Sequence, residues 1–101
     1  MADTKTISRT KPQLKIERPR LHKVILVNDD YTPREFVVKV LQYIFRTTEE
    51  QGHRIMLTAH QKGVCVVAVY TREIAETKAT EGTDAGREAG YPLMFTTEPE
   101  E

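Results

Sequence analysis

The chain has 101 residues, which is enough for one small domain with a modest core and too short for two. Its 15 basic and 15 acidic residues balance, so no overall field favours nucleic acid or a membrane as the main partner. The only cysteine, Cys65, excludes an intramolecular disulfide and agrees with a reducing, cytoplasmic setting. No apolar stretch approaches the ~20 residues that span a bilayer, and the N-terminus lacks the apolar centre of a secretion signal, so we expect neither.

The first twenty residues predict a flexible tail, because they contain two prolines and show no apolar period. Six basic residues against two acidic ones make this tail basic, whereas the chain ends in acidic residues. We expect the folded domain to cover residues 21–101.

Apolar runs and helical periods alternate along this domain. Residues 23–27, 64–70 and 93–97 predict strands, and the second run suits a central strand because it is apolar almost throughout, with Cys65 buried. Residues 33–45 and 49–61 predict helices. A third helix begins after Thr71, although Gly82 and Gly86 make its second half doubtful. The order β-α-α-β-α-β predicts an α+β domain with a three-stranded antiparallel sheet and three helices on one side.

Capping signals mark the helix ends. Thr32 and Glu35 form a possible capping box around Pro33, which then occupies the first helical position. Residues 47–51 offer two overlapping capping boxes for the second helix, and Gly63 ends that helix.

The segment between the first strand and the first helix carries the most informative chemistry. Asn28, Asp29 and Asp30 project acceptor oxygens from a tight turn, an arrangement suited to a cation or an ammonium group. The alternative is that they are ordinary turn residues whose side chains bond their own backbone. Spacing alone leaves both interpretations open.

Strand and helix periods bring further side chains toward this turn. They predict a small apolar hole lined by Leu26, Val37, Met56 and Ala59, with a polar rim of Asn28, Asp29, Asp30, Thr32 and His60. Such a site would bind an apolar group beside an amine. Ordinary core packing for Met56 and a solvated or capping role for His60 remain the alternatives.

Four stretches, KVILVNDDYTP, EFVVKVLQ, MLTAHQKG and EIAETK, closely resemble the ClpS adaptor family in order and spacing. The resemblance covers about residues 22–79, with a weaker match at residues 91–93. This family selects proteins with a destabilising N-terminal residue for the ClpAP-type protease. The resemblance therefore implies a monomeric, non-catalytic binding module without a cofactor, whose pocket takes an N-terminal Phe, Tyr, Trp or Leu side chain.

The resemblance also assigns roles to residues. Asn28 and His60 match the direct contacts to the α-amino group, and Asp29 and Asp30 match the acidic rim. Glu73 and Lys78 match the surface that docks on the N-terminal domain of the unfoldase, and the basic tail matches the extension that engages it. The side-chain pocket positions are Leu26, Val27, Thr32, Arg34, Val37, Met56, Ala59 and Leu93.

Arg34 departs from the family pattern, because a Met usually stands at this gate to the pocket. The aliphatic stem of Arg34 can still wall the pocket, but its guanidinium must point outward. An exposed first-turn residue without a role is the alternative.

Two other classes of function remain. A hydrolase or metal site could use Asp29, Asp30, His60 and His53, although the two histidines are seven residues apart and no Ser or Cys nucleophile lies beside a base. A nucleic-acid module could use the basic tail, although the core lacks a basic stripe with aromatic platforms. We therefore expect no metal, cofactor, nucleic acid or membrane partner.

Overall fold

The computed structural model describes residues 18–101, and within them it confirms the predicted α+β order. The predicted tail lies outside the described residues apart from residues 18–20, which are exposed and form no regular element. None of the helices in the described range is long and apolar enough to cross a bilayer. The elements are β1 (Leu21–Val27), α1 (Arg34–Phe45), α2 (Glu49–Lys62), β2 (Val64–Thr71), α3 (Arg72–Glu88) and β3 (Met94–Pro99).

The three strands form an antiparallel sheet in the order β2-β1-β3, so β1 is the central strand. The prediction that β2 is central was wrong. The apolar residues of β2 suggested a covered, central strand. However, Val64, Val66 and Val69 face away from the helices and remain 37–50% exposed. A shift of register between Val24 and Ile25 of β1 leaves one extra residue in β2, which is a β-bulge.

All three helices cover one face of the sheet. Alternation along β1 turns Val24 and Leu26 toward the helices, where they are 0% and 3% exposed. They join Phe95 of β3 and residues from every helix in one contiguous core. Cys65 is half-buried rather than fully buried, because its strand lies at the edge of the sheet.

The start of α1 differs from the expected capping box. Thr32 donates its hydroxyl to Asp29 (2.9 Å) and does not cap the helix. Pro33 is extended and occupies the N-cap position, and its carbonyl accepts from the amides of Phe36 (3.1 Å) and Val37 (3.2 Å). The spacing to Glu35 suggested that the Thr32 hydroxyl would cap the helix. It bonds to the Asp29 carboxylate instead.

The limits of α2 follow the sequence signals. Of the two overlapping capping boxes, the one formed is Thr48 with Gln51, in which each side chain accepts from the other residue's amide. Gly63 ends the helix with a φ of 93°, a conformation that residues with a Cβ rarely adopt.

Helix α3 continues to Glu88, so its second half, which the sequence left in doubt, is helical. Gly82 and Gly86 are both buried and face Phe95 and Leu93 at close range. These glycines therefore allow α3 to pack closely against β3 and the residue before it. This packing offsets the low helix propensity of glycine.

Candidate functional site

A cavity of about 340 Å³ lies where the end of β1, the start of α1, the last turns of α2 and the residue before β3 meet. All twelve residues predicted for the rim and the side-chain pocket line it, together with two that were not predicted. The lining residues are Leu26, Val27, Asn28, Asp29, Asp30, Tyr31, Thr32, Pro33, Arg34, Val37, Met56, Ala59, His60 and Leu93.

The floor of the cavity is apolar and belongs to the core. Its five residues come from β1, α1, α2 and the segment before β3, and each is at most 7% exposed. They are Leu26, Val37, Met56, Ala59 and Leu93. A floor without polar side chains favours an apolar group and penalises a charged one.

Two backbone hydrogen bonds bring Asn28 and His60 to the same rim. The amide of Asn28 donates to the carbonyl of Gly63 (2.9 Å), which joins the end of β1 to the turn after α2. The amide of Gly63 in turn donates to Ala59 (2.7 Å), closing the helix next to His60. Asn28 is half-buried and His60 is exposed, so both side chains lie at the mouth of the cavity.

Asp29 organises the loop from within. Its Oδ1 accepts from the amides of Tyr31 (2.8 Å) and Thr32 (2.7 Å), and its Oδ2 accepts from the hydroxyl of Thr32 (2.9 Å). The turn interpretation of the sequence therefore holds for this residue, and most of its acceptor capacity is used inside the loop.

Asp30 and Tyr31 are the exposed part of this loop. The Asp30 carboxylate makes no hydrogen bond or ion pair within the described chain, and Tyr31 is 80% exposed although it lines the cavity. Sequence reasoning missed Tyr31 and Pro33. Both residues lie in the same tight loop as the predicted rim residues. This position could have identified them, because all residues of a tight loop lie near the same opening of the cavity.

Arg34 is the first residue of α1, exposed and on the cavity wall. Glu73 and Lys78 lie elsewhere, on α3, and neither lines the cavity. Glu73 is exposed, whereas Lys78 is half-buried and donates from Nζ to the carbonyl of Ile44 (2.8 Å). Lys78 thus satisfies a free carbonyl in the last turn of α1, in addition to any role at the surface.

The geometry gives the enzymatic alternatives no support. Among residues 18–101, no three His, Cys, Asp or Glu side chains form a group that could hold a metal ion. Burial raises the pKa of the Cys65 thiol, and the opposing effects of Thr58 and Lys62 do not cancel it. A thiol with a raised pKa is a poor nucleophile at neutral pH.

An apolar hole beside acceptor side chains suits a ligand that carries an apolar group next to hydrogen-bond donors. The family model of the ATP-dependent Clp protease adaptor protein ClpS matches residues 17–96. The chain belongs to the ClpS family, whose members are adaptors of this protease and not enzymes.

Similar proteins support the assignment along the whole chain. The ClpS 1 adapter of Rhodopseudomonas palustris is 68% identical over 99 residues, which cover 98% of this chain and 96% of that protein. The ClpS 1 adapter of Bradyrhizobium diazoefficiens is 63% identical over the full length of both. The structure of Agrobacterium tumefaciens ClpS2 bound to L-phenylalaninamide is 65% identical, with a TM-score of 0.81, and covers 82% of this chain and 100% of that one.

We predict that Asp29 and Asp30 differ sharply in their effect on stability. Asp29→Ala removes three hydrogen bonds to a carboxylate and should lower the free energy of unfolding by about 1–3 kcal/mol. Asp30→Ala changes an exposed side chain and should stay within about 0.5 kcal/mol of the native protein. Urea denaturation measures both, and amide exchange should accelerate at Tyr31 and Thr32 in the first variant alone. Equal stabilities for the two variants would contradict this division of roles.

Proposed function

We propose that the chain recognises the free α-amino group and the bulky hydrophobic side chain of an N-terminal residue and delivers the protein that carries it to the Clp protease. Phe, Tyr and Trp are the expected first residues, with Leu as a weaker one. Asn28, His60 and Asp30 contact the amine, Asp29 holds the loop, and the apolar floor takes the side chain. The observation that carries this proposal is the cavity itself, with five buried apolar residues below acceptor groups.

The ligand of the A. tumefaciens relative has the matching chemistry. L-Phenylalaninamide carries a free ammonium, a benzyl side chain and a neutral amide in place of the next peptide bond. It therefore reproduces the first residue of a polypeptide rather than a free amino acid. In this chain the rim offers acceptors for the ammonium, and the apolar floor offers a wall for the benzyl group.

The rim selects for a free N-terminus. An ammonium has three donors, and an amide oxygen, a carboxylate and a neutral imidazole can accept them with charge assistance. An acetylated or internal amine leaves those acceptors without a matching charge. Each lost charge-assisted bond costs on the order of 1.5–3 kcal/mol, roughly ten- to a hundredfold in affinity.

The floor selects the side chain. Burying a large aromatic side chain or Leu contributes about 1.5–3 kcal/mol, whereas Gly or Ala would gain little. A charged side chain would lose its hydration against an apolar wall. Amine recognition and side-chain burial together give a preference for bulky hydrophobic N-terminal residues.

For delivery, we propose that a surface of α3 with Glu73 and Lys78 docks on the N-terminal domain of a ClpA-type unfoldase, and that the tail of residues 1–20 engages the unfoldase afterwards. Both residues lie outside the cavity, so one monomer can hold its substrate and its docking partner at once. We also propose a cytoplasmic location, because an adaptor has to meet its protease in the same compartment.

The first test is the requirement for a free amine. A Phe-initiated peptide should bind, and the same peptide with an acetylated N-terminus should bind at least tenfold more weakly, because the rim offers acceptors to an ammonium. Fluorescence anisotropy of labelled peptides measures both affinities. Equal affinity for the two peptides would refute the proposed recognition.

Substitutions at the rim should locate the amine. Asn28→Ala and His60→Ala should each weaken binding by more than about 1 kcal/mol without unfolding the protein. His53→Ala is a matched control on the same helix, because His53 is exposed and does not line the cavity. Unchanged affinity in both rim variants would remove these residues from the proposed contacts.

Arg34 should tilt the choice of first residue toward aromatic rings. A guanidinium gains from stacking on a ring, whereas a thioether adapts equally to Leu. Because exposed cation–π contacts contribute about 0.5–1 kcal/mol, Arg34→Met should improve Leu relative to Phe by a few-fold. The measurement is the ratio of the two peptide affinities in the native protein and the variant, and a constant ratio would show that Arg34 plays no part.

Docking is best tested at Glu73, because replacing Lys78 also removes its hydrogen bond to Ile44. Glu73→Lys should abolish binding to the N-terminal domain of the unfoldase while peptide affinity stays unchanged. Glu88→Lys makes the same charge change at an exposed position at the other end of α3, outside the surface groove that Glu73 lines, and should bind normally. Calorimetry with the isolated domain measures docking. Equal losses in both variants would indicate a general charge effect rather than a specific contact.

A further inference from the structure

Helix α3 and the segment around β3 approach each other through two glycines. A Cβ built on Gly82 would lie 2.6 Å from the ring of Phe95, and one built on Gly86 would lie 2.6 Å from the Cβ of Leu93. Carbon atoms in contact normally stay about 3.5–4.0 Å apart. Both positions therefore exclude any side chain at the present spacing of helix and strand.

The two residues that the glycines contact differ in their relation to the cavity. Phe95 packs against Phe45, with ring centroids 5.2 Å apart, and does not line the cavity. Leu93 is 2% exposed and forms part of the cavity floor. The atom nearest to Gly86 is the Cβ of Leu93, which no rotation about χ1 can move away. A side chain at position 86 must therefore displace the backbone of residue 93.

Gly86 also anchors the turn that leads to Leu93. Its carbonyl accepts from the amide of Tyr91 (2.8 Å), while Arg87 accepts from Gly90 (3.0 Å) and Gly90 adopts a φ of 84°. This is the Schellman arrangement that ends many helices. Because Leu93 follows Tyr91 by only two residues, the place of Leu93 is fixed directly from Gly86.

Two hydrogen bonds, one turn earlier in α3, oppose a movement of this helix away from β3. The hydroxyl of Thr83 accepts from the amide of Phe95 (3.0 Å) and donates to its carbonyl (3.3 Å), which holds α3 to β3. The core around Leu93 is otherwise closely packed. A displaced Leu93 therefore moves into the cavity of about 340 Å³.

We infer that Gly86 is a positioning residue that sets the depth of the cavity through Leu93, and with it the largest first side chain that fits. This inference rests on the proposed function, because it concerns the same cavity. A methyl group at position 86 moves Leu93 into the floor, which excludes an indole before it excludes a smaller side chain.

The test compares peptides that begin with Trp and with Leu. The protein contains no tryptophan, so the emission of the Trp peptide reports its binding directly, and labelled Leu peptide is followed by anisotropy. In Gly86→Ala, the affinity for Trp relative to Leu should fall about tenfold, equivalent to 1.4 kcal/mol.

Gly82→Ala is the matched control. It places the same methyl group at the same 2.6 Å distance on the same helix face, against Phe95 instead of Leu93. It should lower the melting temperature in a similar way and leave the ratio of Trp to Leu affinity unchanged. The double variant Gly86→Ala/Leu93→Gly removes the Cβ that the new methyl group would strike, together with the rest of that side chain, and should recover Trp binding, and it extends the test if the single variant does not fold.

The outcomes separate the inference from the proposed function. A folded Gly86→Ala protein with the native ratio overturns the inference, as does an equal change of ratio in Gly82→Ala. Loss of Trp preference that persists in the double variant also overturns it. If the native protein binds none of the peptides, the proposed function itself fails, and the inference fails with it.

Discussion

The floor of the binding cavity is part of the hydrophobic core, and the rest of the site depends on this shared wall. Leu26, Val37, Met56, Ala59 and Leu93 all belong to the one contiguous core of the described chain, and all line the cavity. A chain of 101 residues has too little apolar material to build a separate pocket. Packing that stabilises the fold and packing that shapes the cavity are therefore the same contacts, and the large apolar residues of the floor cannot be varied freely for specificity.

The polar side chains at the mouth of the cavity are under a different constraint, because their acceptor atoms must stay oriented although they are not buried. The backbone does most of this work: Gly63 links the end of β1 to the end of α2, and Asp29 closes the loop on itself. Neither contact uses the side chains of Asn28, Asp30 or His60. Those side chains are therefore available to a ligand while the loop keeps its shape.

Much of the fold could be predicted because local signals and tertiary packing agree. The alternation of β1, the capping box of Thr48 and the glycine stop at Gly63 each depend on near neighbours, and each was confirmed. Predictions were wrong or left open where a distant contact decided the outcome. The identity of the central strand depends on pairing partners far along the chain, and the continuity of α3 depends on Leu93 and Phe95, which no helical pattern reveals. Most of the cavity residues could be named in advance, several of them only through the family resemblance, whereas the division between Asp29 and Asp30 required hydrogen-bond geometry.

The bulge in β2 has a consequence for association. β2 lies at an edge of the sheet and carries three exposed valines, a combination that normally invites strands of other molecules to add to the sheet. A bulge bends and twists its strand and interrupts the even spacing of hydrogen-bonding groups. The shift of register near Val67 therefore makes this edge a poor template for cross-β aggregation, which protects a protein with so much apolar surface on one side of its sheet.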